Sequence, residues 1–131
     1  MYLPKAYKDL YQEDKKKKQS KYKNKKIEID GHLFDSKKEG KRYQELKLQQ
    51  HCGFIKGLEL QPKFMLQEGF RHKSFKRKQT SIKFTPDFRY EKDGELWIED
   101  VKGGKATKTE AYNIRKRLFL NQNPDINFIE T

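Results

Sequence analysis

Apolar positions along this chain change period several times, and each change marks an element. In "KIEIDGHLF", Ile27 and Ile29 alternate with Glu28 and Asp30, Asp30-Gly31 turns the chain, and Leu33-Phe34 carries it back. Alternation on both sides of an Asp-Gly pair predicts a hairpin, because those two residues accept the positive φ of a tight turn. The next segment, "DSKKEGKRYQELKLQQHCG", switches to helical spacing, with Glu39, Tyr43, Leu46 and Gln50 on one stripe. Ser36 followed three residues later by Glu39 has capping-box spacing, and Gly53 is a natural stop, so a helix is expected over about 36–51.

Beyond that helix, "FIKGLELQPKFMLQEGF" reads as one or two strands broken near Gly57 or Pro62, and "RHKSFKRKQT" as an exposed basic connection. "SIKFTPDFRYEK" and "ELWIEDVK" predict an antiparallel pair around Asp93-Gly94. After the "GGKATK" loop, "TEAYNIRKRLFLNQN" predicts a helix capped by Thr107 or Thr109 and ended near Asn123-Pro124. Ala111, Ile114 and Leu118 form its expected apolar arc, with Tyr112 and Phe119 at the edge and Arg115 projecting within the arc. "INFIE" supplies a last strand. Hairpin, helix, three strands, helix, strand is the order of an α/β fold with a mixed central sheet flanked by helices.

Composition narrows the partner. Hydrophobic residues make up 33% of the chain and charged residues 38%, so the core is small, filled largely by nine Phe, seven Tyr and one Trp. A net charge of +12 over 131 residues points to a polyanion, most simply nucleic acid, ahead of an anionic membrane surface. No apolar run approaches the ~18 residues of a membrane span. Residues 1–26 lack an apolar signal core and read as a flexible basic arm for phosphates, with 27–131 as the single domain. A lone cysteine, Cys52, leaves no disulfide framework or thiolate cluster, and His32, His51 and His72 lack metal-ligand spacing. An intracellular, cytoplasmic protein is expected.

The chemistry concentrates around the Asp93-Gly94 turn. Residues two apart on a strand share a face, so Ile98, Asp100 and Lys102 point one way and Trp97, Glu99 and Val101 the other. Counting outward from the turn sets Asp87 opposite Asp100, and opposed residues share a face with Cβ atoms ~5 Å apart. Two carboxylates that close repel unless a cation lies between them. Mg²⁺, a hard ion that retains several waters, suits such a pair, and a lysine alongside could orient or help deprotonate a water attacking a phosphodiester. A salt-bridge cluster of Asp87, Asp100 and Lys102 explains the same residues without catalysis.

"PDF" at 86–88 followed by "EDVK" at 99–102 resembles the signature of the PD-(D/E)xK nuclease superfamily. Together with "KYKNKKIEIDGHLFDSKKEGKRYQELKL", "LELQPKF", "TPDFRY" and "EDVKG", it resembles more closely a small family of phage-encoded proteins placed in that superfamily, over roughly residues 21–131. The resemblance implies a restriction-endonuclease-like α/β/α core, DNA as substrate, and Mg²⁺ or Mn²⁺ held by Asp87, Asp100, the Val101 carbonyl and Glu39, with Lys102 at the attacking water. Gln61 in "LELQPKF" resembles a polar residue that related nucleases set beside the metal.

Other residues carry both a functional and a plain reading. Glu39 can be a site acid or a cap at the positive end of a helix. Lys105, Lys108, Arg115 and Lys116 are candidate DNA contacts following Lys102, and Arg115 can equally snorkel around a core. Arg77 and Lys78 belong to the run "RHKSFKRK" at 71–78, which could grip phosphates while Phe75 stacks on a base, or simply be a solvated loop. The expected activity is a metal-dependent DNA endonuclease acting on branched or duplex DNA, for which a two-fold dimer is the easiest way to cut both strands. The rival readings are a nucleic-acid-binding module that does not cut and an adaptor of a phage replication or packaging complex.

Overall fold

The computed structural model describes residues 26–102 and 108–131. The basic arm before Lys26, Gly103, Gly104 and Lys105 lie outside them. Two short strands, β1 (Ile27–Ile29) and β2 (His32–Phe34), form the expected hairpin, with Asp30 and Gly31 at φ 53° and 78°. Helix α1 (Lys37–His51) follows, with the Ser36 hydroxyl accepting the Glu39 N–H at 3.1 Å. The hairpin lies so close over α1 that a Cβ at Gly40 would stand 2.5 Å from Ile27 Cδ1, the end of a side chain that would have to move to admit it.

A four-stranded mixed sheet forms the centre, in the order β3 (Lys56–Leu60), β6 (Phe88–Lys92), β7 (Glu95–Asp100), β8 (Asn127–Glu130). The first three strands run antiparallel, and β8 joins β7 in parallel after the crossover helix α2 (Glu110–Gln122), which is capped by Thr109. A second, two-stranded sheet pairs β4 (Phe64–Gln67) with β5 (Ile82–Phe84).

One strand departs from the sequence pattern. The expected strand over 81–92 is two strands, because Pro86 has no N–H for a ladder and is itself fully buried; β5 pairs with β4, and β6 enters the central sheet. The segment 54–70 is two strands, as expected, broken at Gln61 (φ 48°) and Pro62, while Gly57 (φ 66°) sits at an irregularity inside β3.

Each face of the central sheet has its own core. Phe88, Tyr90, Leu58, Leu60, Trp97 and Val101 pack with Phe34, Tyr43, Leu46 and Ile55 on the α1 side. Ile98 packs with Leu66, Phe84 and Phe119 on the α2 side, where Phe84 and Phe119 rings lie 4.9 Å apart. This is a mixed α/β architecture with one helix over each face. The phase of α2 is not the expected one. Phe119 is fully buried with Tyr112 and Leu120 beside it, whereas Ile114 and Leu118 remain 50% and 41% exposed and Ala111 and Arg115 face solvent. Stacking among Phe84, Phe119 and Phe128 rotates the helix so that its aromatic edge faces the sheet. No helix among the described residues is long and apolar enough to cross a membrane.

Candidate functional site

The hairpin β6–β7 places the acids. Its register runs from Lys92↔Glu95 at the Asp93-Gly94 turn to Phe88↔Glu99, one residue short of Asp87 and Asp100. There the ladder ends. The Asp87 N–H still donates to the Glu99 carbonyl (3.1 Å), and Asp87 Oδ2 accepts the Val101 N–H at 2.7 Å. The Asp87 and Asp100 carboxyls come within hydrogen-bonding reach of each other. Asp100 is 4% exposed, and its Oδ2 meets Lys102 Nζ at 3.0 Å.

Glu39 arrives from the opposite layer. It stands in the first turn of α1, 6% exposed, and its carboxyl reaches Asp87 around the end of the sheet. Its backbone serves the cap while its side chain joins the acids, so the capping and site readings describe different atoms of one residue. Burial, then the neighbouring Asp35 carboxylate, raises Glu39 above the usual carboxylate range, against the pull of the nearby Asp87 carboxyl. Burial and the Asp100 carboxyl push Asp87 up to about 8, against the pull of the Val101 N–H. Near neutrality the group holds a proton that a cation would displace.

Lys102 is held from the α2 side. Its Nζ lies 3.8 Å from the centroid of the Tyr112 ring, a close cation–π contact. The Tyr112 hydroxyl donates to Glu130 at 2.9 Å, and Lys116 Nζ donates to the same carboxylate at 3.0 Å. Burial, then the Asp100 charge, drives the Tyr112 hydroxyl well above its ordinary range, so it stays protonated. The backbone is fixed as well: Lys102 N–H donates to Thr131 O (2.8 Å), Thr131 N–H to Asp100 O (3.0 Å), and Lys38 Nζ to Lys102 O (2.7 Å).

Glu99 takes the other side of β7. It is fully buried toward α1, where Arg42 donates to both its oxygens, Nε to Oε1 at 2.7 Å and a terminal nitrogen to Oε2 at 3.0 Å. The pair holds Arg42 firmly protonated, chiefly through that hydrogen bond.

The remaining candidates scatter. Gln61 is exposed and touches the site through its backbone, its N–H donating to Asp87 O at 2.9 Å. Lys108 and Lys116 both pair with Glu130, at 3.8 and 3.0 Å, so neither stands as an unengaged phosphate contact. Arg115, Arg77 and Lys78 are exposed. Tyr112, Glu130, Lys38 and Arg42 escaped the sequence reading, although Tyr112 with Lys116 four residues on is a helical pair whose clustering with Lys102 could have been suspected.

The donor set suits a hard divalent ion. Asp87, Asp100 and the Val101 backbone supply oxygens, and Mg²⁺ characteristically binds one or two carboxylates and keeps the rest of its shell as water. Among the described residues no three His, Cys, Asp or Glu side chains are arranged to hold a metal by themselves, so water would have to complete the coordination. No curated protein and no solved structure matches the chain. A family model does match residues 19–130, nearly the whole domain, and the chain belongs to the family described as Protein of unknown function (DUF1064).

Proposed function

We propose that the protein is a metal-dependent DNA endonuclease of the PD-(D/E)xK type, with Asp87, Asp100, Lys102 and Glu39 as its catalytic set. The observation that carries this reading is the gathering of three buried or half-buried acids and one lysine at the end of β7, with Asp87 pushed up to about 8. A cluster serving only stability would match each acid with a cation, as Glu99 is matched by Arg42. Among the described residues Lys102 pairs with Asp100, Asp87 and Glu39 form no ion pair, and that shortfall of positive charge fits a site completed by Mg²⁺ or Mn²⁺ and a phosphodiester.

In this reading Asp87, Asp100 and the Val101 carbonyl would hold the ion, and Glu39 would take up the proton that Asp87 releases. A bound divalent ion supplies charge neutralisation at the phosphate. Lys102, fixed between Asp100 and the Tyr112 ring, hydrogen-bonds the attacking water and orients it toward phosphorus. Water oxygen adds to phosphorus and gives up a proton to solvent, one phosphorus–ester oxygen bond breaks, and the leaving oxygen takes up a proton from solvent. The basic surface holds the backbone in register without reading sequence.

The test is incubation of supercoiled plasmid and of branched DNAs with the full chain in Mg²⁺, Mn²⁺ or EDTA. Metal-dependent nicking by wild type that disappears in Asp100→Asn is expected. A second reading, a nucleic-acid-binding module that does not cut, is favoured by the want of three metal-arranged side chains among the described residues; it predicts tight DNA binding and no nicking in any metal.

A further inference from the structure

Between β4 and β5 the chain runs through residues 71–78 entirely exposed. This loop is closed at its base, where Phe70 and Gln79 exchange backbone hydrogen bonds of 3.0 and 2.7 Å. Gly69 lets the two arms approach, since a Cβ there would stand 2.9 Å from Gln79 O. The tip is also tied: Phe75 N–H donates to His72 O at 3.1 Å, and Ser74 N–H to His72 Nδ1 at 3.1 Å.

The tied tip presents Phe75, 63% exposed, with the His72 ring 6.2 Å away. Around it stand Arg71, Lys73, Lys76, Arg77 and Lys78, and the sequence has no acid between Glu68 and Asp87. Among the described residues none of these five cations forms an ion pair. Leaving a large apolar ring in water is unfavourable, and unneutralised like charges around it repel. Both features are relieved by a ligand with closely spaced negative charges and a flat apolar face.

We infer that this loop is a binding site for unpaired nucleobases, with Phe75 stacking on a base and the surrounding cations on the flanking phosphates. The inference rests on the nucleic-acid part of the proposed function and not on cutting. A continuous duplex offers the cations their phosphates but keeps its bases stacked inside, so the ring adds nothing there. Single strands, flaps and junctions expose π-faces, and a base–aromatic stack is tolerant of sequence. An anionic membrane is the poorer match, because one ring among His72, Ser74 and five cations is too little apolar surface to insert.

The loop is also within reach of the acids. Gln79, at the base of the loop, is eight Cα steps from Asp87, a span of at most about 28 Å. Roughly eight base steps of duplex at ~3.4 Å each cover that span. One nucleic acid with an unpaired end or branch could therefore touch both sites, which would make the loop a selector of branched over continuous substrate.

The experiment is fluorescence anisotropy of the full chain in EDTA, so that no cleavage occurs, with three probes: a short unstructured single strand as DNA and as RNA, the matching blunt duplex, and phosphatidylserine–phosphatidylcholine vesicles. Phe75→Ala should weaken single-strand binding by between about 5- and 100-fold and leave the duplex unchanged. Phe75→Trp should restore single-strand affinity. The double variant Arg77→Gln, Lys78→Gln should weaken both nucleic acids and lower the salt slope by ~1–2. Equal loss on strand and duplex, no loss on either, or a Phe75 effect confined to vesicles would each overturn the inference. If wild type binds single strands through Phe75 but never nicks DNA, cutting fails and the loop stands; if it nicks and Phe75→Ala binds normally, the loop fails alone.

Discussion

Glu99 and Asp100 are adjacent in sequence, both buried, and on opposite faces of one strand. Their surroundings are opposites. Glu99 lies against α1 with a bidentate Arg42, so the protein carries that acid's counter-charge itself. Asp100 lies with Asp87 and Glu39, paired with Lys102, and burial, with the neighbouring carboxyls adding to it, raises Asp87 and Glu39. Buried acidity as such is uninformative. What separates a structural acid from a candidate site is whether the fold has already supplied the opposite charge.

The largest expected effect would split the two faces apart. Asp87→Asn and Asp100→Asn should each abolish metal-dependent nicking while the protein remains folded, and both should bind DNA at least as well as wild type because a negative charge facing phosphate is gone. Glu99→Gln should do the reverse. It strands a partly buried Arg42, so stability should fall by about 3 kcal/mol, yet nicking assayed well below the melting point should persist. Circular-dichroism melts beside plasmid nicking for the three variants decide it. A stable but inactive Glu99 variant, with an active Asp100 variant, would move the site to the α1 face.

Glu39→Gln tests the acid that crosses between layers. The Ser36 cap uses the Glu39 backbone, so the melting point should move by only a few degrees, while nicking should fall strongly. Near-wild-type nicking would reduce Glu39 to a helix-end residue.

Acid–base linkage sharpens the comparison without any substrate. Asp87 binds its proton more tightly folded than unfolded, so its contribution is intact at pH below about 4 and is lost as pH rises toward about 8. Urea unfolding of the wild type in EDTA should show stability falling across that window. Asp87→Asn should flatten the slope. Mg²⁺ should stabilise more at pH 8 than at pH 6, because binding requires the ionised acid. Glu130 behaves oppositely: burial pushes it up, but the hydrogen bonds from Lys116 and Tyr112 outweigh that and hold it low. Its contribution should therefore vanish only as pH falls below the usual carboxylate range.

The smallest effect concerns the Lys102 platform. Tyr112→Phe keeps the ring and loses the bond to Glu130, so kcat should drop modestly with KM unchanged. Tyr112→Leu removes the ring and should drop kcat further, again at constant KM. Equal kcat in both variants would mean that the ring does not hold the lysine.

Much of the site was legible because it depends on local rules. The Asp93-Gly94 turn fixes a register, strand alternation fixes the face, and together they set Asp100 and Lys102 beside Asp87 and away from Glu99. Ser36, Thr109 and Asp30-Gly31 mark their own caps and turn through side-chain and backbone chemistry contained within four residues. The α2 helix shows where such rules stop. Helical spacing predicts Ala111, Ile114 and Leu118 as the buried arc and leaves Tyr112 and Phe119, at its edge, as a second face. Only the ring cluster of Phe84, Phe119 and Phe128, drawn from three elements, chose the second and thereby put Tyr112 beneath Lys102. Arg42 met Glu99 across 57 residues of chain for the same reason: a partner supplied by packing leaves no period in the sequence.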